Sequence, residues 1–224
     1  MGTLTYFGHA NVLVESSGLR IAFDPWVEGN PAYPKELEMP EGVHAYIVTH
    51  GHSDHGLEDA IRLSKERGGK VVGIFELANF ASEKGAEAIG ANIGGPFKVG
   101  DVEVILTEAL HSSPLGAPTG AVVKFPDGLT VYHAGDTGIF PGMSLIGELY
   151  SPDLAILPIG GHFTMGPKEA AKAVELLKVQ KVVPIHYATF PVLWGTPAML
   201  REELKARKLD VDVIELSPGS SAGL

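Results

Sequence analysis

The residues from His50 to His55 constrain this chain more than any other stretch. The segment VTHGHSDHG, residues 48–56, places three of the nine histidines and one aspartate within six residues. The apolar run HAYIVTH, residues 44–50, is typical of a buried strand and ends at His50. In an extended chain, residues i and i+2 point the same way, so the imidazoles of His50 and His52 can converge on one metal ion. Asp54 and His55 lie where the loop turns into the next predicted helix and can face a second ion.

Three further side chains of this kind fall at the ends of predicted strands. His111 ends VILTEALH, Asp136 follows TVYHAG and His186 ends VVPIH. Each of them alone is compatible with an ordinary structural role. Their shared position at strand ends indicates that groups from distant parts of the chain meet along one edge of a sheet.

Composition narrows both the chemistry and the partners. The chain has 224 residues, no cysteine and a formal net charge of −10. Any metal must therefore be held by histidine and carboxylate, and a long nucleic acid is disfavoured as a partner because it requires a basic face. The chain shows no secretory leader and no apolar stretch of about 18 residues. We therefore predict one cytoplasmic domain over residues 1–224, without a membrane segment.

Hydrophobic periodicity predicts strands and helices in both halves of the chain. The opening LTYFGHANVLVES and LRIAFDP read as strands only, which argues against a doubly wound nucleotide-binding sheet, and no glycine-rich phosphate loop follows any strand. Apolar positions at helical spacing predict four helices. They are residues 56–69, 76–86, 166–178 and 196–208. Strands in both halves with helices between them predict two sheets packed face to face, with helices outside.

The complete motif set resembles the metallo-β-lactamase superfamily. The resemblance rests on HGHSDH at 50–55, followed by His111, HAGDTG with Asp136, and His186. Within that superfamily the chain is most similar to the small stand-alone metal-dependent hydrolases related to ascorbate-6-phosphate lactonases, through YFGHA and IGGHFTMGP. The resemblance implies an α/β fold, a four-layer αββα sandwich of two mixed β-sheets flanked by helices.

The same resemblance implies a centre of two divalent metal ions. One ion would be held by His50, His52 and His111. The other would be held by Asp54, His55 and His186, with Asp136 bridging the two. Zinc is the expected metal, and manganese, iron or nickel stay open because histidine and aspartate sites accept all of them.

Further residues are candidates for roles around the metals. Asp24 is interpreted as orienting a ligand histidine, against the alternative of a simple Asp-Pro turn. His9, in a strand after Gly8, is expected to line the site rather than to be an ordinary buried histidine. His162, on a loop after AILPI, is a candidate substrate-binding or acid group. His133 is interpreted as packed behind the ligands, and Tyr187 as part of an apolar wall.

The expected chemistry is hydrolysis of a small anionic ester, lactone or phosphoester. A hydroxide shared by the two ions would attack the carbonyl or phosphoryl centre, with Asp54 orienting the nucleophile. Three alternatives stay open at this point: a phosphodiesterase or nuclease for short or cyclic nucleotides, a mononuclear iron oxidoreductase, and a non-catalytic metal-binding module. The segment SSPLGAPTG, residues 112–120, is either a wall over the metals or a plain connecting loop. The sequence also leaves open whether the chain forms a homo-oligomer.

Overall fold

The N-terminal half of the chain supplies most of one seven-stranded mixed sheet. The structure is a computed structural model and describes residues 2–224. This sheet has the strand order β14-β1-β2-β3-β4-β5-β6. Its strands are β1 (Thr3–Gly8), β2 (Asn11–Ser16), β3 (Leu19–Phe23), β4 (Ala45–Ile47), β5 (Lys70–Ile74), β6 (Ala88–Ala91) and β14 (Ser221–Gly223). Pairing is antiparallel from β14 to β3 and parallel from β3 to β6.

The remaining strands form a second seven-stranded sheet with the same mixed character. Its order is β13-β12-β11-β10-β9-β8-β7. Its strands are β7 (Pro96–Val99), β8 (Val102–Glu108), β9 (Thr119–Lys124), β10 (Thr130–His133), β11 (Leu154–Pro158), β12 (Lys181–Ile185) and β13 (Asp212–Val213). Pairing is antiparallel from β7 to β10 and parallel from β10 to β13.

The two sheets pack face to face because their strands are apolar on both sides. In β2, Val12 and Val14 contribute to the core between the sheets, whereas Leu13 between them packs on the outer face. In β11, Leu154 and Ile156 take the inner face, and the alternate residues take the outer one. This period of two explains why the strands read as continuous apolar runs.

Helices cover both outer faces and complete the four layers. The first sheet is covered by α1 (Leu57–Arg67) and α2 (Phe75–Glu83), and the second by α3 (Met143–Tyr150), α4 (Pro167–Leu177) and α5 (Pro197–Ala206). The αββα sandwich predicted from the sequence is therefore confirmed. Within residues 2–224, none of the helices is long and apolar enough to cross a bilayer.

Several local predictions are wrong in instructive ways. His9 does not lie in a strand: β1 ends at Gly8, and His9, with φ of 58°, forms the turn to β2 together with Ala10. The strand before His111 ends at Glu108, three residues earlier.

Helix α3 was not predicted, because Gly147 interrupts its apolar pattern. That glycine is needed there, since a Cβ would lie 2.6 Å from the carbonyl oxygen of Leu177 at the end of α4. The short strands β6, β7 and β14 also lack a clear apolar signal.

Gly56, which joins the histidine-rich loop to α1, permits a close backbone approach. Its φ is 71°, and a Cβ would collide with the backbone of Pro25 and Trp26. We expect Gly56→Ala to lower the free energy of unfolding by about 2–4 kcal/mol, from the left-handed backbone and the collision together. The matched control is Gly18→Ala, since Gly18 has a φ of 76° with nothing within 4 Å, and about 1 kcal/mol is expected there. Denaturant unfolding measures both, and equal losses would contradict the close approach.

Candidate metal centre

The polar side chains converge at the edge where the parallel strands of both sheets end. Each polar segment begins one to three residues beyond a strand, which is where ligands gather in open α/β sheets. Asp24 follows β3, and the segment from His50 to His55 follows β4. His111 follows β8, Asp136 follows β10 and His186 follows β12. The two sheets thus contribute opposite sides of one cluster.

One group of the cluster contains His50, His52 and His111. A ring nitrogen from each lies within 4.8 Å of the others. His50 Nε2 and His52 Nδ1 are 2.8 Å apart, and the ring of His111 stands edge-on to both of the other rings. Three imidazole nitrogens that close have the spacing of ligands around one ion.

A second group contains Asp54, His55, His186 and also His9. Their ligand atoms again lie within 4.8 Å of one another. The imidazoles of this group are buried, and the Asp54 side chain keeps 27% of its surface exposed. His9 was expected only to line the site, and the structure places its Nε2 3.2 Å from Asp54 Oδ2.

Asp136 stands between the two groups. Its Oδ2 lies 3.1 Å from His186 Nε2, 3.2 Å from His55 Nε2, 3.5 Å from His111 Nε2 and 4.0 Å from His50 Nε2. One carboxylate oxygen thus faces four imidazole nitrogens from both groups. A bridging carboxylate requires this central position.

Unsatisfied buried atoms show that these residues fit divalent ions. Within residues 2–224, His55 Nε2 and Asp136 Oδ1 are buried without a hydrogen-bond partner. A buried polar atom without a partner costs about 1–3 kcal/mol. A metal ion would satisfy both atoms, and histidine nitrogen with carboxylate oxygen is a donor set suited to zinc and its neighbours.

Burial and neighbouring charges favour the metal-binding forms of His50, His111 and Asp136, and they attract a cation to His55. Burial and the nearby His55 lower the pKa of His50 to about 2, and burial lowers the pKa of His111. His55 and His186 hold the pKa of Asp136 well below its usual range in spite of burial. Burial opposes a charge on His55, but the carboxylates of Asp136 and Asp24 raise its pKa. The field that raises the pKa of His55 would equally stabilise a divalent cation, which would take the place of the proton on Nε2.

Asp24 fixes two of the histidines from behind. It is fully buried, and its Oδ2 accepts from His55 Nδ1 at 2.8 Å and from the Thr49 hydroxyl at 2.8 Å. Because the Thr49 hydroxyl hydrogen points to Asp24, its oxygen accepts from Nδ1 of His50 at 3.1 Å. These bonds assign the imidazole protons to Nδ1 and leave both Nε2 atoms free to coordinate. An isolated Asp-Pro turn does not account for these bonds.

The backbone is strained at three of these positions. His9, Asp24 and His186 have φ of 58°, 42° and 53°. Such values are uncommon outside glycine, and they cluster where the surrounding structure imposes them at functional sites.

Other predicted residues lie further from the cluster. His133 is buried, stacks on Phe23 at 4.8 Å and accepts from the Gly135 amide, so it supports the turn that carries Asp136. His162 is exposed and stands edge-on to Phe163, outside the ligand groups; its catalytic role stays a prediction. Tyr187 is half-buried and lines a separate cavity.

Two residues that contact the metal-site histidines, Thr49 and Thr189, were not predicted from the sequence. Thr49 stands directly before His50, so a hydroxyl next to a ligand was an available signal. Thr189, which contacts His9, had no such signal.

The segment 112–120 is attached to the histidine-rich loop, because Ser113 Oγ accepts from the Gly51 amide at 3.3 Å. It therefore borders the cluster.

An αββα sandwich with a histidine and aspartate cluster at its edge is typical of metal-dependent enzymes. The sequence from residue 19 to 187 matches the beta-lactamase superfamily domain. The chain thus belongs to the metallo-β-lactamase superfamily, as the motif set predicted.

Proteins similar to this chain over nearly its whole length are named metal-dependent hydrolases. A UPF0173 metal-dependent hydrolase of Korarchaeum cryptofilum is 58% identical over 221 residues, covering 99% of both chains. One from Myxococcus xanthus is 48% identical over 233 residues, covering 99% of this chain and 83% of that protein. Igni18, a metallo hydrolase from Ignicoccus hospitalis, has a solved structure with a TM-score of 0.91 at 41% identity, covering 99% of this chain and 97% of that chain. The protein is a metal-dependent hydrolase.

Asp24 gives a direct test of the support behind the ligands. In Asp24→Asn, an amide NH₂ group replaces a carboxylate oxygen that accepts a hydrogen bond in the wild-type protein. We expect zinc affinity to fall by about 10–100-fold, the usual effect of losing a partner behind a ligand. Asp59→Asn is the control, because Asp59 is also buried and hydrogen-bonded but lies outside the cluster. Competition with a chelator measures both affinities, and equal losses would assign Asp24 a purely structural role.

Proposed function

We propose that the protein hydrolyses a small anionic ester, lactone or phosphoester at a centre of two divalent ions, with zinc as the native metal. The observation that carries this proposal is the central position of Asp136. Its Oδ2 lies within 4.0 Å of imidazole nitrogens from both groups of the cluster. A mononuclear site would not need two complete sets of ligands around one shared carboxylate.

The residues present divide naturally between two ions. His50, His52 and His111 would hold the first, Asp54, His55 and His186 would hold the second, and Asp136 would contact both. When bound, two such ions supply a water molecule ionised at neutral pH and stabilise negative charge that develops on the substrate. Asp54, half-buried at the mouth, is the carboxylate placed to orient the attacking water.

Charge favours an anionic reacting group at the centre. Asp54 and Asp136 neutralise two of the four positive charges that two divalent ions bring, so the centre stays positive although the chain is negative overall. An anionic carboxylate or phosphate on the substrate would be attracted to it. This local field, not the net charge of the chain, decides which group reacts.

A neighbouring cavity supports a small substrate. A cavity of about 740 Å³ extends from His52 and Trp26 along the first turn of α1 to Arg62. Small-molecule sites usually have volumes of roughly 300–1,000 Å³. The lining includes Glu28 and Glu58. These carboxylates repel a polyanion along the whole cavity, which argues against a long nucleic acid, whereas the single anionic group of a small substrate would lie at the positive metal centre.

Metal content is the first measurement. We expect two zinc ions per chain after repletion and removal of weakly held metal, falling to one or fewer in Asp136→Ala and in His186→Ala. His162→Ala is the matched control, because this histidine lies outside the ligand groups and should leave both ions in place. Elemental analysis gives the numbers. One iron per chain together with oxygen consumption would turn the proposal towards an oxidoreductase.

Turnover is the second measurement. We expect the metal-replete protein to hydrolyse members of a panel of lactones, esters and phosphodiesters, and chelation to abolish this activity until metal is restored. His52→Ala should lower kcat/KM by about 100-fold or more, since loss of a ligand exceeds the 10–100-fold typical of residues behind ligands. Full turnover by this variant at saturating metal would refute the assignment of His52. Preference for cyclic or short nucleotides would identify a phosphodiesterase.

A further inference from the structure

His9 is held rigidly at the edge of the second group. Its side chain is fully buried, and its carbonyl oxygen accepts from the His186 amide at 2.8 Å and from the Tyr6 hydroxyl at 3.1 Å. The strained turn that carries it is therefore tied to the strand end that carries His186. Rotation of the backbone would break both bonds.

Aromatic neighbours also restrict the ring of His9. The His186 ring lies 4.1 Å away, centroid to centroid, and Trp26 and Phe190 stand edge-on at 5.3 and 5.4 Å. The two ring nitrogens then face defined partners. Nε2 lies 3.2 Å from Asp54 Oδ2, and Nδ1 lies 3.0 Å from the hydroxyl oxygen of Thr189.

The two contacts determine where the imidazole proton resides. An ionised Asp54 can only accept, so the bond to it requires a proton on Nε2. Nδ1 is then an acceptor, and the Thr189 hydroxyl can donate to it. In the other tautomer, Nδ1 would donate to Thr189, whose hydroxyl would turn to the Tyr187 carbonyl oxygen 3.3 Å away. The bare Nε2 would then face a carboxylate oxygen, an unfavourable pair of acceptors.

We propose that Thr189 and His9 form a positioning relay that orients the Asp54 carboxylate for the second ion. The Asp54 carboxylate requires the Nε2–H tautomer of His9, Thr189 stabilises that tautomer by donating to Nδ1, and the Nε2–H of His9 holds Asp54. This inference rests on the proposed two-ion function and adds to it two positioning residues that do not coordinate metal. It also ties the segment 187–190, with Phe190 against His9, to the metal centre.

The test compares Thr189→Val with Thr189→Ser. Valine has nearly the same shape but no hydroxyl, whereas serine keeps the hydroxyl. Cobalt(II) titration of the full chain against a competing chelator gives the dissociation constant of each ion, and the visible cobalt spectrum reports its coordination. For Thr189→Val we expect the second dissociation constant to rise about tenfold and the first to stay within about twofold. Thr189→Ser should match the wild type in both.

A double-mutant cycle separates the relay from simple packing. In His9→Gln the side-chain amide can donate to Asp54 whatever Thr189 does. We therefore expect Thr189→Val to have little further effect on the second dissociation constant in that background. An equal effect of Thr189→Val in both backgrounds would overturn the relay. Circular dichroism and thermal unfolding establish that each variant is folded.

Other outcomes distinguish the relay from the function on which it rests. A wild type that binds two ions, with unchanged affinities in Thr189→Val, overturns the relay and leaves the proposed function intact. Loss of the second ion in His9→Gln to the extent seen in His186→Ala would make His9 a ligand and also overturns the relay. A wild type that binds only one ion overturns both.

Discussion

The carboxylate of Asp24 is the constraint on which the metal centre depends. A buried charge is costly unless it is paired and hydrogen-bonded. Asp24 is fully buried, with bonds to His55, the Thr49 hydroxyl and the Thr49 amide. Through these bonds it assigns the tautomers of His55 and, by way of Thr49, of His50. It therefore orients His55 in the second group directly and His50 in the first group through Thr49.

The sandwich supplies the geometry that Asp24 refines. Parallel strands of both sheets end at one edge, so side chains far apart in the chain meet after short loops. Three residues of those loops, His9, Asp24 and His186, adopt left-handed backbone. The core between the sheets, built from residues such as Val12 and Ile156, keeps the two strand edges in register.

Much of this architecture could be predicted from the periodicity of apolar residues and from the positions of polar residues at the ends of predicted strands. Strands in both halves of the chain, with helices between them, predicted two stacked sheets, and four of the five helices were found from their apolar faces. The motif from His50 to His55 predicted the convergence of the ligands. Helix α3 was not predicted because its glycine, Gly147, is required by a close contact with α4. Such a tertiary contact leaves no local pattern in the sequence. The turn at His9 and the contact with Thr189 escaped for the same reason, since they depend on segments 180 residues apart.

The origin of the ligands in both sheets has a thermodynamic consequence. His50 and His52 follow a strand of one sheet, whereas His111 follows a strand of the other. An ion held by all three would cross-link the layers and close a large loop of chain. Because the unfolded chain lacks this site, ligation would add to the folding free energy, by about 4 kcal/mol at a free metal concentration a thousand times the dissociation constant. Opening of the sandwich at this edge would then be governed by metal supply, so heat resistance and metal availability would be linked.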